Sequence, residues 1–289
     1  QQLKGKVVLV DFWTYTCINC IRTLPYLKEW DKKYRDKGLV IVGVHTPEFE
    51  FEKKYENVLK AVNDYQIKYP VAQDNNYATW HSYQNRYWPH KYLVDIDGYI
   101  RYDHIGEGAY EETERMIHLL LNERMERLNQ NNISSSLGLT SKPNDAVDVD
   151  FYNVKTPEIY FGYQFDRGNL GYQGLKPNSI TDFKISPSPY KNYVYLSGKW
   201  KYNADNMELI SDDGEIFLIF EARKVNIVAG SENASNAYIY LDNNKFNNSI
   251  ANVKEFKLYN VAVAENYDTH AIDMIVEGKG FKIYTFTFG

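Results

Sequence analysis

Cys17 and Cys20 are the only cysteines among the 289 residues of the chain, and their spacing could support redox chemistry. They follow a β-branched run that predicts a buried strand, and they open a stretch with helical periodicity. At a helix start, unpaired backbone N–H groups and the helix dipole favour an anion, so we expect Cys17 to be partly thiolate near neutral pH. Two intervening residues on a first helical turn bring the sulfurs close enough to form a disulfide. The redox group would be this disulfide itself, without a cofactor.

In such a pair, the more exposed Cys17 would attack the disulfide of a partner protein, and Cys20 would then attack the mixed disulfide and release the product. Two other interpretations are half of a zinc site and a pair of inert thiols. Zinc needs further cysteines or paired histidines, and the six histidines show no ligand spacing. Inert thiols do not require the order strand, CxxC and helix, which is the context of a redox motif.

Composition excludes several classes of function. The net charge is −5, whereas proteins that bind nucleic acid are more often basic, so no nucleic-acid partner is expected. No stretch approaches the ~18 consecutive apolar residues of a membrane-spanning helix. The sequence begins with Gln1 rather than Met, which predicts a processed chain or a fragment of a longer protein.

Residues 1–128 alternate apolar runs with amphipathic stretches. The runs 7–10, 39–44 and 92–96 predict buried strands, and a turn at Asp97-Gly98 leads into a further strand that ends at Ile105. Helical spacing of apolar residues predicts helices after Cys20, around Leu59 and from Met116 to Leu128. This order predicts an α/β domain with a central mixed sheet and helices on both faces.

The pattern changes after Leu128. Residues 129–149 are polar without an apolar period and predict a linker. From 150 to 289, short alternating runs are separated by turn clusters such as Asp212-Asp213-Gly214, which predicts an all-β antiparallel sandwich or jelly roll. The runs that predict strands include 216–220, 237–241, 256–259, 271–276 and 281–288. The predicted domains are therefore 1–128 and 150–289.

The segment from Val8 to Cys17 resembles the thioredoxin superfamily, and Leu3-Lys4-Gly5-Lys6 ahead of it is similar to the TlpA-type branch. This resemblance implies that Trp13, four residues before Cys17, is the active-site tryptophan of the family. It implies that Asp11 is the buried acid that assists deprotonation of Cys20. A buried charge is costly unless it is paired or has a role, which independently favours a function for Asp11.

Two prolines extend the match. Pro25, eight residues after Cys17, matches the proline that kinks the active-site helix. Trp88-Pro89, just before a predicted strand, resembles the family's cis-proline, which faces the disulfide and presents backbone to an extended substrate. X–Pro bonds are mostly trans, so the expectation of a cis bond at Pro89 rests on its position in the motif.

The runs 11–20, 45–52, 85–89 and 284–289 look like the soluble part of DipZ-type thiol–disulfide transporters. In these proteins a CcdA-like membrane domain precedes a thioredoxin-like domain and a carbohydrate-binding-module-like β-sandwich. The resemblance implies a periplasmic or extracytoplasmic, membrane-tethered oxidoreductase that takes electrons from the CcdA-like donor. Its partners would be disulfide-containing client proteins, and the sandwich could hold a glycan.

The chain departs from the family pattern at two places. Ile18-Asn19 between the cysteines includes no proline, so the redox potential of thioredoxin does not carry over. Thr23 stands where several relatives that mature cytochromes have glutamate, so an acid role is absent there.

Other candidates have simpler structural explanations. Glu48 could tune a thiol, but Pro47-Glu48 is also a common helix start, and His90 after the cis-proline could relay protons or be an inert rim residue. Aromatic residues of the second domain could stack on sugars, although alternating aromatics more often form a core. These aromatics are Tyr160, Tyr163, Tyr193, Trp200 and Tyr202.

The sequence therefore predicts an extracytoplasmic thiol–disulfide oxidoreductase. A thiol peroxidase of the same fold would instead oxidise Cys17 to a sulfenic acid. In a third interpretation the second domain binds a glycan and the first is a passive scaffold.

Overall fold

The computed structural model describes residues 3–129, 138–172, 174–245 and 250–289. The chain forms two compact units, Gln1–Val147 and Asp148–Gly289, called here the α/β unit and the β unit. The segment predicted as a linker crosses this boundary, and its residues 130–137 lie outside the described residues. None of the helices in the described ranges is long and apolar enough to cross a membrane.

The α/β unit contains five strands and four α-helices. The strands are β1 (Val7–Trp13), β2 (Leu39–His45), β3 (Val71–Gln73), β4 (His90–Val94) and β5 (Ile100–Ile105). The helices are α1 (Ile18–Tyr34), α2 (Tyr55–Asp64), α3 (Ala78–Ser82) and α4 (Tyr110–Arg127), with 3-10 helices at Arg35–Lys37 and Glu50–Lys53. The predicted strands and helices are present, and the short β3 and α3 are additions that the apolar pattern did not indicate.

The sheet has the order β3-β2-β1-β4-β5, which places β1 at its centre. β1 is parallel to β2 and antiparallel to β4, so the sheet is mixed. All seven residues of β1 are buried, as expected of a strand with both faces covered. The predicted α/β fold is confirmed, and its central strand leads directly to the cysteines.

The described part of the predicted linker is bound to the α/β unit. Lys33 Nζ donates to the Gly138 carbonyl at 2.5 Å, and the Thr140 N–H donates to the Glu114 carboxylate at 2.8 Å. Further along, Lys28 and Asp145 form an ion pair at 3.0 Å. The segment from Gly138 therefore follows α1 and α4 rather than standing apart from them.

The β unit is built from strands alone over its described residues. They are β6 (Ile159–Tyr160), β7 (Ile180–Phe183), β8 (Val194–Tyr202), β9 (Met207–Leu209), β10 (Asp213–Ser231), β11 (Ser235–Leu241), β12 (Asn244–Lys245), β13 (Ile250–Val253), β14 (Lys257–Glu277) and β15 (Phe281–Phe288). These strands pair antiparallel. The prediction that an all-β region follows the α/β domain is confirmed.

Two long strands connect the parts of this unit. β10 pairs with β8 through residues 215–218 and with β15 through residues 225–231, while β14 follows it along most of its length. The β10–β14 register shifts between Ala222 and Lys224, where a bulge can bend a strand. One cluster of buried side chains, drawn from most of the strands, forms the core.

The aromatic residues that could have stacked on a sugar differ in how far they are buried. Trp200, Tyr160 and Tyr202 are buried, and Trp200 Nε1 donates to the Ser197 carbonyl at 2.7 Å. Tyr163 is partly buried against the core, whereas Tyr193 is exposed. Most of the candidates therefore pack in or against the core, as alternating aromatics commonly do.

We expect Ile227→Ala to reduce the free energy of unfolding of the β unit by about 2–5 kcal/mol, because Ile227 is fully buried in β10. The matched control is Ile180→Ala, since this isoleucine in β7 is 57% exposed and its truncation leaves no cavity. Urea unfolding of both variants measures the difference. Equal losses would contradict the core described for this unit.

Candidate active site

Cys17 lies at the N-cap of α1, four residues after Trp13, where β1 ends. Its backbone is extended, with φ −72° and ψ 112°, and its Sγ accepts the backbone N–H of Cys20 at 3.1 Å. The Cys17 carbonyl accepts the first helical hydrogen bond, from Ile21 N–H at 3.0 Å. An anionic sulfur at this point is stabilised by the N–H it receives and by the positive end of the helix.

The two cysteines differ in exposure. Cys17 is half-buried, whereas Cys20 is 1% exposed. Burial raises the pKa of Cys20 well above its ordinary value, and the hydrogen bond and charge of Cys17 raise it further. This asymmetry gives the pair one accessible sulfur and one that needs help to lose its proton.

Asp11 is buried in the middle of β1, close enough to Cys20 for its charge to raise the thiol pKa. Burial raises the pKa of Asp11 to about 7, and the charge of Lys91 opposes this rise. Within the described part of the chain, its Oδ1 has no hydrogen-bond partner. A carboxyl group that titrates near neutral pH with an uncommitted oxygen can exchange a proton with a neighbouring thiol.

Lys91 is the residue opposite Asp11 across β1 and β4, and it is fully buried. Its Nζ donates to the Gly106 carbonyl at 2.9 Å. Burial lowers the pKa of Lys91, while the charges of Asp11, Cys20 and Glu107 raise it. This lysine was not predicted as a site residue, and the sequence marks it only as the lysine directly before the apolar run 92–96.

A buried ion pair links the loop after β5 to α1. Arg22 Nη1 lies 3.0 Å from Glu107 Oε1 and 3.4 Å from Asn19 Oδ1, inside the CxxC motif. The side chains of Arg22 and Glu107 are only 5% and 10% exposed. This pair was also missed, because its partners are 85 residues apart in the chain.

The Trp88–Pro89 peptide bond is cis, which confirms the expectation from position. Pro89 directly precedes β4, and its carbonyl accepts the Gly106 N–H at 2.8 Å. Since Phe12 pairs with His90, the next step along both strands brings Pro89 opposite the end of β1, just before the segment that leads to the cysteines.

The side chain of Trp13 is buried in the interior and is not part of the protein surface at the site. It is fully buried, and its ring meets that of His45 edge-on at 5.3 Å. A side chain at Gly43 would place its Cβ 2.9 Å from Trp13 Nε1, so the glycine makes room for the indole. The tryptophan therefore supports the end of β1 and does not face a substrate.

His90 is not on the rim but buried. Its Nδ1 lies 2.7 Å from Asn85 Oδ1 and its Nε2 lies 2.9 Å from Asp103 Oδ2. Burial lowers the pKa of His90, and the hydrogen bond and charge of Asp103 oppose this. These contacts tie β4 to β5 and to the loop that ends in the cis-proline.

Glu48 does not begin a helix, since the 3-10 helix of this region starts at Glu50. The buried acid of this loop is Glu52, which the sequence analysis did not single out. Its carboxylate accepts the backbone N–H of Glu48 at 2.6 Å. Among the described residues no cluster of three or more His, Cys, Asp or Glu side chains is arranged to hold a metal.

Two family models match the chain. Residues 5–100 match the model described as "Thioredoxin-like", and residues 156–289 match the model described as "Thioredoxin like C-terminal domain". The two matches fall in the α/β unit and the β unit respectively.

Protein DipZ from Mycobacterium bovis is 40% identical over 230 residues, which cover 80% of this chain and 32% of the relative. The chain thus spans about a third of the length of this relative. The thiol-disulfide oxidoreductase ResA from Bacillus thuringiensis is 33% identical over 114 residues, covering 39% of this chain and 63% of ResA. A crystal structure of a thiol:disulfide interchange protein of the thioredoxin family from Chlorobium tepidum is 22% identical, with a TM-score of 0.37, and covers 42% of this chain and 83% of that one.

We expect Lys91→Met to raise the pKa of Asp11 by about one unit from its value of about 7, because the substitution removes the positive charge that opposes the effect of burial. Carbon-13 NMR of the labelled Asp11 carboxyl, assigned with Asp11→Asn, measures the titration. The control Lys68→Met removes a charge from an exposed position and should leave the midpoint unchanged. An unchanged midpoint in Lys91→Met would show that the lysine does not act on Asp11.

Proposed function

The chain belongs to the thioredoxin superfamily as a TlpA-like member, and from this we propose that it catalyses thiol–disulfide exchange through Cys17 and Cys20. The observation that carries the proposal is the geometry at the start of α1. There an accessible sulfur receives a backbone N–H at 3.1 Å, and a buried thiol lies behind it beside the acid Asp11. The ResA relative is named as a thiol-disulfide oxidoreductase, which supports the same chemistry.

In the first step, the Cys17 thiolate attacks one sulfur of a client disulfide. The client S–S bond breaks, a mixed disulfide forms between Cys17 and the client, and the second client sulfur leaves as a thiolate that takes a proton from solvent. Since Cys20 is 1% exposed, only Cys17 can make this contact with a protein.

In the second step, Cys20 resolves the mixed disulfide. Asp11 accepts the Cys20 proton, and the resulting thiolate attacks Cys17 Sγ, which breaks the bond between Cys17 and the client. The client sulfur leaves as a thiolate and takes a proton from solvent. The client has then gained two electrons and two protons, and the Cys17–Cys20 pair is oxidised. Lys91 supports this step because its charge holds the pKa of Asp11 lower than burial alone would, which keeps part of the acid ionised.

A membrane electron donor of the CcdA type would return the pair to the dithiol. This part of the proposal is supported by the similarity to DipZ, of which the chain spans only a part. It places the α/β unit outside the cytoplasm, tethered to the membrane, with disulfide-containing proteins as clients.

For the β unit, we propose a role in placing the α/β unit at its partners. It contains no cysteine, so it has no disulfide chemistry of its own. A glycan is the ligand that the resemblance implies. Because Trp200, Tyr160 and Tyr202 are buried, a sugar would have to stack on other residues, such as the exposed Tyr193.

We expect Cys20→Ser to accumulate a mixed disulfide with reduced turnover, because the resolving sulfur is missing while Cys17 still attacks. Cys17→Ser should form no such adduct, since its remaining thiol is buried. Incubation of each variant with oxidised insulin, followed by non-reducing electrophoresis and mass spectrometry, measures the adduct. The unmodified protein with dithiothreitol is the control for insulin reduction.

Adducts in Cys17→Ser, or insulin reduction by that variant at the rate of the unmodified protein, would contradict the assigned roles. Rapid consumption of hydrogen peroxide by the unmodified protein, without insulin reduction, would favour a thiol peroxidase instead.

A further inference from the structure

The segment Thr14–Thr16, called here the entry segment, connects β1 to Cys17 and is held at each of its three residues. Each contact comes from a side chain on a different element: the end of β2, the C-terminus of α2 and the 3-10 helix Glu50–Lys53. The contacts are Thr14 Oγ1 to His45 Nε2 at 3.3 Å, Tyr65 OH to the Tyr15 carbonyl at 2.9 Å and Thr16 Oγ1 to Glu52 Oε1 at 2.5 Å. The path of the chain into the nucleophile is thus set by residues distant in sequence.

Glu52 is the charged member of this set, and it is fully buried. Its Oε2 accepts the backbone N–H groups of Glu48 at 2.6 Å and Phe49 at 2.9 Å, while its Oε1 accepts the Thr16 hydroxyl. A group that accepts at both oxygens is suited to be a carboxylate. Burial raises the pKa of Glu52, and the hydrogen bonds from Thr16 and the backbone oppose the rise.

Capping of the 3-10 helix explains only one of these oxygens. The contact of Oε2 with the Phe49 N–H caps the start of the 3-10 helix, which is a local structural role. The contact of Oε1 instead reaches 36 residues back to Thr16, the neighbour of Cys17. Burying a carboxylate costs free energy, and a short turn can be capped without it.

We propose that Glu52 is a positioning residue for the nucleophile: its carboxylate fixes Thr16 and holds a negative charge at the residue that precedes Cys17. This inference rests on the proposed thiol–disulfide exchange, since it concerns the reactivity of the same thiol. A negative charge close to Cys17 disfavours its thiolate, and a dithiol that is less stabilised is a stronger reductant. Glu52 would therefore keep the pair reducing, in the sense needed to donate electrons to clients.

Among the residues that the structure describes, the charge of Glu52 acts on three tyrosines, Tyr15, Tyr65 and Tyr77. Burial raises the pKa values of Tyr15 and Tyr65 far above neutral and raises the pKa of Tyr77 to about 12. His45, which contacts Thr14, has its pKa lowered to about 4 by burial. These groups keep one charge state between pH 5 and 10, so none of them can account for a difference in the Cys17 titration between Glu52→Gln and the unmodified protein.

The first experiment compares Glu52→Gln with Glu50→Gln, an exposed glutamate on the same 3-10 helix. The rate of Cys17 alkylation by iodoacetamide is measured against pH, and the pair is equilibrated with glutathione. Glu52→Gln should lower the alkylation midpoint by about one pH unit and favour reduction of the pair by about tenfold. Glu50→Gln should change the equilibrium by less than about twofold, because an exposed charge is screened.

The second experiment leaves Glu52 in place and changes its partner. Thr16→Val removes the hydroxyl at nearly constant volume, and a carboxylate that loses a donor binds a proton more readily. We expect its alkylation midpoint to shift in the same direction as that of Glu52→Gln, whereas Thr16→Ser, which keeps the hydroxyl, should retain the midpoint of the unmodified protein. This pair carries the test if Glu52→Gln does not fold.

A folded Glu52→Gln with an unchanged midpoint and glutathione equilibrium would overturn the inference, as would equal midpoints for Thr16→Val and Thr16→Ser. Insulin reduction by the unmodified protein is measured alongside. If that activity is absent, the proposed function fails. If it is present and the variants show no shift, only the role of Glu52 fails.

Discussion

The structure depends on the burial of opposite charges behind a reactive thiol. Asp11 and Lys91 face each other across the two central strands, with both side chains removed from water. Such burial is costly for each charge alone, and their mutual attraction offsets part of the cost. The antiparallel pairing of β1 and β4 is what makes this possible, because it brings the residue two positions after the cis-proline opposite the acid. The same pairing brings Pro89 towards the cysteines.

Two buried acids are associated with the two cysteines through different contacts. Asp11 is close to Cys20, the sulfur that must lose a proton within the protein. Glu52 is bonded to the residue before Cys17, the sulfur that meets the client. An acid with a free oxygen is suited to exchanging protons, while an acid with both oxygens bonded is suited to holding a position. The difference in hydrogen bonding therefore separates a chemical role from a positioning role.

In the β unit, the pattern of apolar residues predicts where strands lie but not where each strand begins and ends. The runs 216–220, 237–241 and 281–288 lie in strands, as their alternation predicts. The runs 256–259 and 271–276 predict two separate strands, but residues 257–259 and 271–276 both lie in the single long strand β14. The polar residues between them include Asp268 and Thr269, which still pair with β10. Alternating apolar residues mark the part of a strand that packs on the core, but the hydrogen bonds to the neighbouring strand continue beyond that part.

The active site was predictable to the extent that it is local. The spacing of Cys17 and Cys20, their position between a strand and a helix, and the family match of Asp11 and Pro89 all lie within short motifs. The roles of Lys91, Glu107 and Glu52 in the site were not predictable, because each depends on a contact with a residue on another element. A lysine before a strand and a glutamate in an acidic loop ordinarily face solvent, and only the strand register and the loop path bring them inside. The residues that tune the thiols are thus set by tertiary structure, while the thiols themselves are set by sequence.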